Sequence, residues 1–260
     1  MFLDVQGLVV AELTLSIVSH GHGDLLDALL RDLDSLESLR GAAAIVTLNA
    51  PGDRVDVSMY PNLRIEVVEN RVPAGFAANH NAAFRRCSTE WFAILNPDLR
   101  VTSDVFSTLL ATAKRSSKIA LVAPVVTNKD GAVEDSVRAN LTPLSIVRRA
   151  LVGRRTSPVS PDQRGFRWYA GMCLLVNAAA FRAVGGFDER YFLYCEDYDL
   201  CARLHLWGYS LQLDRSSTVI HDARRSSHRS LKHFGWHVES LVRVWLSSPV
   251  WKIAIERTGA

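Results

Sequence analysis

The sequence predicts an α/β protein with a mainly parallel, Rossmann-like sheet flanked by helices. Three observations lead there. Apolar β-rich runs alternate with amphipathic helical stretches through the first half, and most runs end in a polar or turn-forming cluster. The composition, 48% hydrophobic and 22% charged over 260 residues, is that of a chain with enough material for a buried core.

Leu13–Ser19 reads as the first strand, followed by a helix over 24–39 with leucines at helical spacing. Residues 43–48 read as a second strand, ended by the turn signal Asn49-Ala50-Pro51-Gly52. Residues 63–68 give a third strand, and 76–87 a helix opening after Pro73 and Gly75. Residues 91–95 give a fourth strand, stopped by Asn96-Pro97-Asp98. A helix over 103–114, with Ser103 as N-cap, and a strand over 119–123 complete the regular part. This order implies right-handed crossovers, with ligands beyond the carboxyl ends of the strands. Ser19-His20-Gly21, Glu69-Asn70 and Asn96-Pro97-Asp98 therefore come first as candidates.

The second half is less regular. A polar, proline-containing loop is expected over 154–165, a strand over 168–176, a helix over 196–207, and short strands over 209–213 and 218–221. A final amphipathic helix over 228–246 would place Leu231, Phe234, His237 or Val238, Leu241 and Trp245 on one side.

The net charge of +3 is too small to argue for nucleic acid. The charge is uneven, however: from His221 onward seven Lys or Arg face three acids, with four histidines. A solvated face explains that run; an anionic membrane surface is the alternative, with Trp236, Trp245 and Trp251 near the interface or packed inward. The four cysteines show no metal-finger spacing and are expected as buried free thiols. No window has the apolar length of a membrane span, and the N-terminus lacks a signal-peptide pattern, so a cytoplasmic protein is expected.

Four clusters carry chemistry. Asp98, on a tight turn after a buried strand, can hold Mg²⁺ or Mn²⁺, which needs only one or two protein carboxylates beside phosphate oxygens; the same tripeptide also serves as a plain strand-ending turn. Glu196, Asp197 and Asp199 open a helix, where its dipole favours them. Either Glu196 or Asp197 caps, leaving the other to face a cleft near Tyr191, Phe192 and Tyr194 with a raised pKa, as a general base requires. His221 ends a strand and is followed by Arg224 and Arg225, a combination suited to a diphosphate with its metal. Gly75 to Asn81 can bring amides near a nucleotide. Neither GxGxxG nor GxxxxGK occurs, which argues against a dinucleotide site or a P-loop.

In this order and spacing the clusters resemble family 2 glycosyltransferases, inverting enzymes of the GT-A fold. The resemblance runs from about Leu13 to His237 and rests on Ser16 to Gly21, GFAANHN at Gly75 to Asn81, LNPD at Leu95 to Asp98, and GFDERYFLYCEDYDLCARL at Gly186 to Leu204. SHGH at Ser19 to His22, Tyr169-Ala170-Gly171 and the tail from His221 to His237 look most like bacterial rhamnosyltransferases of O-antigen and cell-wall polysaccharide assembly.

The resemblance implies a nucleotide-sugar-binding half over 1–125, an acceptor-binding and catalytic half over 126–222, and a basic helical segment over 223–260. It makes Asp197 the base and Glu196 its neighbour at the acceptor. Asp98 becomes the metal ligand, with His221 as a second metal or diphosphate contact. Ser19, Glu69, Asn70, Gly75, Asn81, Asn96 and Arg224 would surround the nucleotide sugar. The donor would be dTDP-L-rhamnose and the acceptor a polyprenyl-diphosphate-linked sugar at the cytoplasmic face of the inner membrane, with peripheral membrane contact. Two departures stand out: Asn96 replaces the first acid of the usual DXD segment, and Gly21 replaces the usual Asn after the first strand. Alternatives are a UDP-sugar donor, a sugar-nucleotidyltransferase (which normally has a Gly-rich basic loop), and a non-catalytic carbohydrate-binding protein.

Overall fold

The computed structural model describes residues 12–152, 165–222 and 231–256. The expected loop over 154–165 and Arg224 lie, but for Gly165, outside the described residues.

Strands β1 (Leu13–Ser19), β2 (Ala43–Leu48), β3 (Arg64–Glu69) and β4 (Trp91–Leu95) pair in parallel in the order β3-β2-β1-β4. All four carboxyl ends therefore lie along one edge, bringing Ser19, Asn49, Asn70 and Asn96 to the same side. β1 and β4 are almost wholly buried; β4 is apolar throughout, whereas β1 carries buried Thr14 and Ser16, hydrogen-bonded to Thr89 and His80. Helix α1 (Gly23–Asp34) buries Leu25, Leu26, Leu29, Leu30 and Leu33 at helical spacing. Helix α2 (Phe76–Phe84) connects β3 to β4.

After the short β5 (Leu99–Arg100), helix α3 (Val105–Ala113) is capped by Asp104, whose carboxylate accepts from Ser107 N; the expected cap, Ser103, lies one residue too early. The remaining elements are β6 (Ile119–Thr127), β7 (Val137–Arg138), α4 (Pro143–Val152), β8 (Trp168–Tyr169), β9 (Cys173–Asn177), α5 (Ala178–Ala183), α6 (Glu196–Leu206), β10 (Ser210–His221), α7 (Leu231–Leu246) and α8 (Ser248–Glu256). The main sheet has eight strands in the order β3-β2-β1-β4-β9-β6-β10-β5, with β9 antiparallel to both β4 and β6. The expected division at 125/126 falls inside β6, so both halves share this sheet.

Two expectations are corrected. The strand over 168–176 breaks at residues 170–172: β8 pairs with β7 in a separate ribbon, while β9 enters the main sheet. The two strands over 209–213 and 218–221 are one strand, β10, interrupted by a bulge between Asp214 and Thr218. Asp214 closes that bulge by accepting from Ser216 N at 2.8 Å.

One apolar cluster joins Leu15, Leu29, Phe106 and Leu175, and a second joins Phe92, Leu174, Phe181, Tyr198 and Leu204. Adjacent β9 residues go to different clusters, so the clusters fill opposite faces of the sheet. All four cysteines are buried and free, as expected, and burial holds the thiols of Cys173, Cys195 and Cys201 protonated.

Gly186 occupies the left-handed region at φ 71°, and a Cβ there would lie 2.6 Å from Asn81 Oδ1. Gly185, at φ 81°, has nothing within 4 Å of that position. Gly185→Ala should cost about 1–2 kcal/mol from backbone strain alone, and Gly186→Ala about 1–3 kcal/mol more from the clash. Equal losses in chemical denaturation would show that the Asn81 contact is dispensable.

Candidate active site

The site is assembled around the break between β8 and β9. Asn96 N–H, just past β4, donates to Met172 O at 2.9 Å. One residue earlier, Gly171 N–H donates to Asp197 Oδ2 at 2.9 Å. Two adjacent backbone groups thus tie the strand-end turn carrying Asp98 to the first turn of α6, which carries Asp197. A Cβ on Gly171 would stand 3.4 Å from the Phe76 ring and 3.6 Å from Asp197 Cβ. These are ordinary van der Waals separations, so a Cβ would pack there without displacing either group.

Neither Glu196 nor Asp197 caps α6. The N-cap is Cys195, which makes no side-chain cap bond; Tyr194 and Cys195 both adopt positive φ, 75° and 66°. Two consecutive non-glycine residues in this region are costly and persist where packing over-determines them. The packing is present: Tyr191 is buried, Ser240 Oγ donates to Leu193 O at 3.0 Å, and Tyr194 hydroxyl hydrogen-bonds His233 Nδ1 at 3.0 Å.

The two acids differ electrostatically. Burial raises the pKa of Asp197, but backbone N–H groups of Gly171 and Tyr198 and the Arg138 charge pull it back down. Burial and the neighbouring Asp197 charge raise Glu196 well above the carboxylate range, and Glu196 Oε2 has no hydrogen-bond partner. When two carboxyls share a site, the better-solvated one ionises first. Asp197 is therefore the ionised member and Glu196 holds the proton. Asp199, also in the first turn, is paired with Arg203 at 2.7 Å.

Asp98 Oδ2 lies 3.2 Å from His221 Nε2, and His221 Nδ1 lies 2.8 Å from Glu134 Oε2. Strand pairing builds this contact, since His221 is opposite Leu99 in the antiparallel β10–β5 ladder. Burial opposes charge on His221, but hydrogen bonds and charges from Asp98 and Glu134 outweigh it and raise its pKa to about 9. The other carboxylate oxygen, Asp98 Oδ1, is buried without a hydrogen-bond partner. A hard cation is the ligand such an oxygen suits. Among the described residues no group of three or more His, Cys, Asp or Glu is arranged to hold a metal by itself.

Along the edge formed by β1 to β3, Asp53 Oδ2 accepts from Ser19 Oγ at 2.7 Å and from Gly21 N at 3.0 Å. Gly21 has φ 72°, a conformation glycine and asparagine adopt most readily, which explains glycine where asparagine is usual. Asn49 Oδ1 accepts from Ala74 N and Asn70 Nδ2, both at 2.8 Å, and Asn70 Nδ2 also donates to Asn79 Oδ1 at 2.7 Å. Glu69 is exposed at the end of β3.

Two expected nucleotide contacts are committed elsewhere. Asn81 Nδ2 donates to Phe187 O and Glu189 Oε1, and its Oδ1 accepts from Phe187 N, so it clasps the GFDE turn to α2. A Cβ on Gly75 would lie 2.6 Å from Phe192 O, and Phe76 N donates to that oxygen, so Gly75 admits the loop before α6. Asn49 was legible, since it ends β2 as Ser19 ends β1. Asp53, Glu134 and Arg138 carry no local signal and enter the site only by folding.

The family described as "Glycosyltransferase like family 2" matches residues 55–246. The chain belongs to this family. The glycosyltransferase is 29% identical over 247 residues to the N-acetylglucosaminyl-diphospho-decaprenol L-rhamnosyltransferase of Mycobacterium tuberculosis, covering 86% of this chain and 80% of that one. It is 27% identical over 240 residues to rhamnosyltransferase WbbL of Escherichia coli, covering 87% and 90%. Among solved structures it resembles the mannosyltransferase PcManGT from Pyrobaculum calidifontis (TM-score 0.59, 15% identity, 89% of this chain, 64% of that one) and TarS 1–349 of S. aureus (0.58, 11%, 81% and 60%). The glycosyltransferase therefore has the GT-A fold, and spans under two thirds of either solved chain.

Above the ordinary glutamate value of 4.5, unfolded Glu196 ionises while folded Glu196 keeps its proton, so native stability falls as pH rises. The loss reaches at most about 1.4 kcal/mol per pH unit. Glu196→Gln escapes it and should be increasingly more stable than the native enzyme above that pH, with the difference shrinking in acid. A difference independent of pH in denaturant titrations would contradict a buried proton on Glu196.

Proposed function

We propose that this glycosyltransferase moves L-rhamnose from dTDP-L-rhamnose to a polyprenyl-diphosphate-linked sugar in one inverting displacement. The carrying observation is the pair of adjacent backbone contacts, Asn96 N to Met172 O and Gly171 N to Asp197 Oδ2, which braces the two halves of the site against one segment. The rhamnosyl donor and lipid-linked acceptor are supported by the relatives named above and by the Ser19 to His22, Tyr169 to Gly171 and tail motifs. Cytoplasmic location with peripheral membrane contact agrees with such an acceptor. Among the described residues no helix is long and apolar enough to cross a membrane.

Asp197, ionised and fixed by two backbone N–H groups, takes the proton from the acceptor hydroxyl as that oxygen attacks the anomeric carbon. Its burial-raised pKa strengthens it as a base while the Glu196 proton spares the site a second buried negative charge. Asp98 would hold Mg²⁺ or Mn²⁺ through its unpartnered Oδ1, and the cation would supply positive charge against the departing diphosphate; His221, protonated between Asp98 and Glu134, has no free lone pair for the cation and would instead add positive charge toward the diphosphate. Ser19, Asn70, Asn96 and the exposed Glu69 line the strand-end edge where the nucleotide would lie, and Arg224 would add a counter-charge. The UDP-sugar alternative differs only in the base and sugar recognised.

Asp197→Asn should lower turnover by about 10²–10⁴-fold while leaving donor affinity nearly unchanged in calorimetry. Parallel loss of both would reassign Asp197 to the nucleotide. A donor panel run with and without Mn²⁺ should release dTDP from dTDP-L-rhamnose only when metal is present, and Asp98→Ala should lose that dependence with the activity. Preferential release of UDP, or pyrophosphate release, would overturn the donor or the reaction class.

A further inference from the structure

Helix α7 does not bury the side that its sequence pattern suggests. Phe234 is 67% exposed, and the face turned to the loop before α6 carries His233, Trp236, His237 and Ser240 instead. Trp245 Nε1 donates to Leu141 O at 2.9 Å and anchors the far end of the helix. His233 and His237, one turn apart, both meet Tyr194. His233 Nδ1 hydrogen-bonds the Tyr194 hydroxyl, and the His237 ring stands edge-on to the Tyr194 ring with centroids 5.2 Å apart. Trp236 packs on Phe192 with centroids 4.7 Å apart, and Lys232 Nζ lies over the same indole at 4.9 Å.

Two members of this cluster are fixed by their neighbours and still open. Phe192 is 40% exposed, although Trp236 backs its ring and its carbonyl is bonded into the start of α2. His237 is exposed, and among the described residues neither of its ring nitrogens has a hydrogen bond. Both residues lie beside the base. Phe192 O accepts from Phe76 N, and the Phe76 ring adjoins Gly171, whose N–H holds Asp197. His237 is near enough to Asp197 and Arg138 to feel both charges: partial burial and then Arg138 lower its pKa, against the opposite pull of Asp197. The imidazole is therefore neutral near neutral pH and can both donate and accept. A sugar ring has a face of C–H bonds and a rim of hydroxyls, so an open aromatic ring beside a free donor–acceptor group matches it.

We propose that Phe192 and His237 form the subsite for the acceptor sugar, which packs its C–H face on Phe192 and gives a hydroxyl neighbouring the attacking one to His237. Trp236 and Tyr194 are positioning residues that hold these two in place. This assignment rests on the sugar-transfer reading above and adds the residues that read the acceptor.

The probe is N-acetylglucosaminyl diphosphate on a farnesyl chain, with binding titrated by saturation-transfer NMR without donor and transfer followed from dTDP-L-rhamnose with Mn²⁺. The native chain should bind it with saturation on the sugar protons. His237→Phe keeps a ring against Tyr194 but has no nitrogen; it should weaken probe binding and raise the acceptor KM about tenfold, and His237→Gln should recover part of the loss. Phe192→Ala should weaken binding to a similar extent, whereas Phe192→Tyr should not. Should Phe192→Ala lose its fold by circular dichroism, the two His237 variants decide alone. Donor affinity in calorimetry should hold in every folded variant. Lower kcat with unchanged probe binding would make both residues supports for the loop and overturn the subsite. Undiminished binding and transfer in His237→Phe and Phe192→Ala would overturn it while leaving the sugar-transfer reading intact. If the native chain binds the probe but does not use dTDP-L-rhamnose, the donor reading fails and the variants still decide the subsite. A native chain that neither binds nor uses the probe overturns the lipid-linked acceptor, and with it the ligand assigned here.

Discussion

The segment from Ala170 to Met172 is the part of the molecule on which the rest of the site depends. Its backbone serves both sides: Met172 O accepts from the turn after β4, and Gly171 N donates to the first turn of α6. Ala170 N also donates to Ser136 O, which fixes the strip running from Glu134, beside His221, to Arg138, whose charge favours ionised Asp197. Backbone groups have no rotamers, so the spacing between the two acidic centres is set by the sheet rather than by mobile side chains.

That brace lets a short loop hold an unfavourable arrangement. Two carboxyls stand adjacent, Glu196 buried and Asp197 partly so, and the two residues before them take left-handed backbone angles. Each left-handed residue costs on the order of 1–3 kcal/mol. The cost is offset by the grip of α7 on Leu193 and Tyr194, and by buried Tyr191 and Tyr198. The proton on Glu196 removes the largest remaining penalty, a second negative charge without a partner.

The GFDE motif shows how a family signature divides into chemistry and architecture. Phe187 is buried between Phe76 and Phe181, and its backbone is clasped by Asn81. Asp188 pairs with Arg190. These residues shape the turn that delivers the chain to Tyr194, and the acids that can do chemistry begin only at Glu196.

Local pattern determined much of this protein. The runs at Leu13–Ser19, Ala43–Leu48 and Trp91–Leu95 became strands with those bounds, because central strands buried on both faces are rich in apolar and β-branched residues, with few polar ones. Strand-end reasoning marked Ser19, Asn70 and Asp98, and the acid cluster marked Glu196 and Asp197. The break in 168–176, the joining of two short strands into β10 and the exposure of Phe234 and Val238 on α7, where one buried side was expected, were decided by tertiary structure. So were Asp53, Glu134 and Arg138, whose partners lie 32 to 87 positions away. The physical reason is the same in each case: hydrophobic period and turn chemistry act over a few residues, whereas burial on a particular face, pairing at a sheet edge and the ionisation of one acid in a pair depend on groups brought together only by the completed sheet.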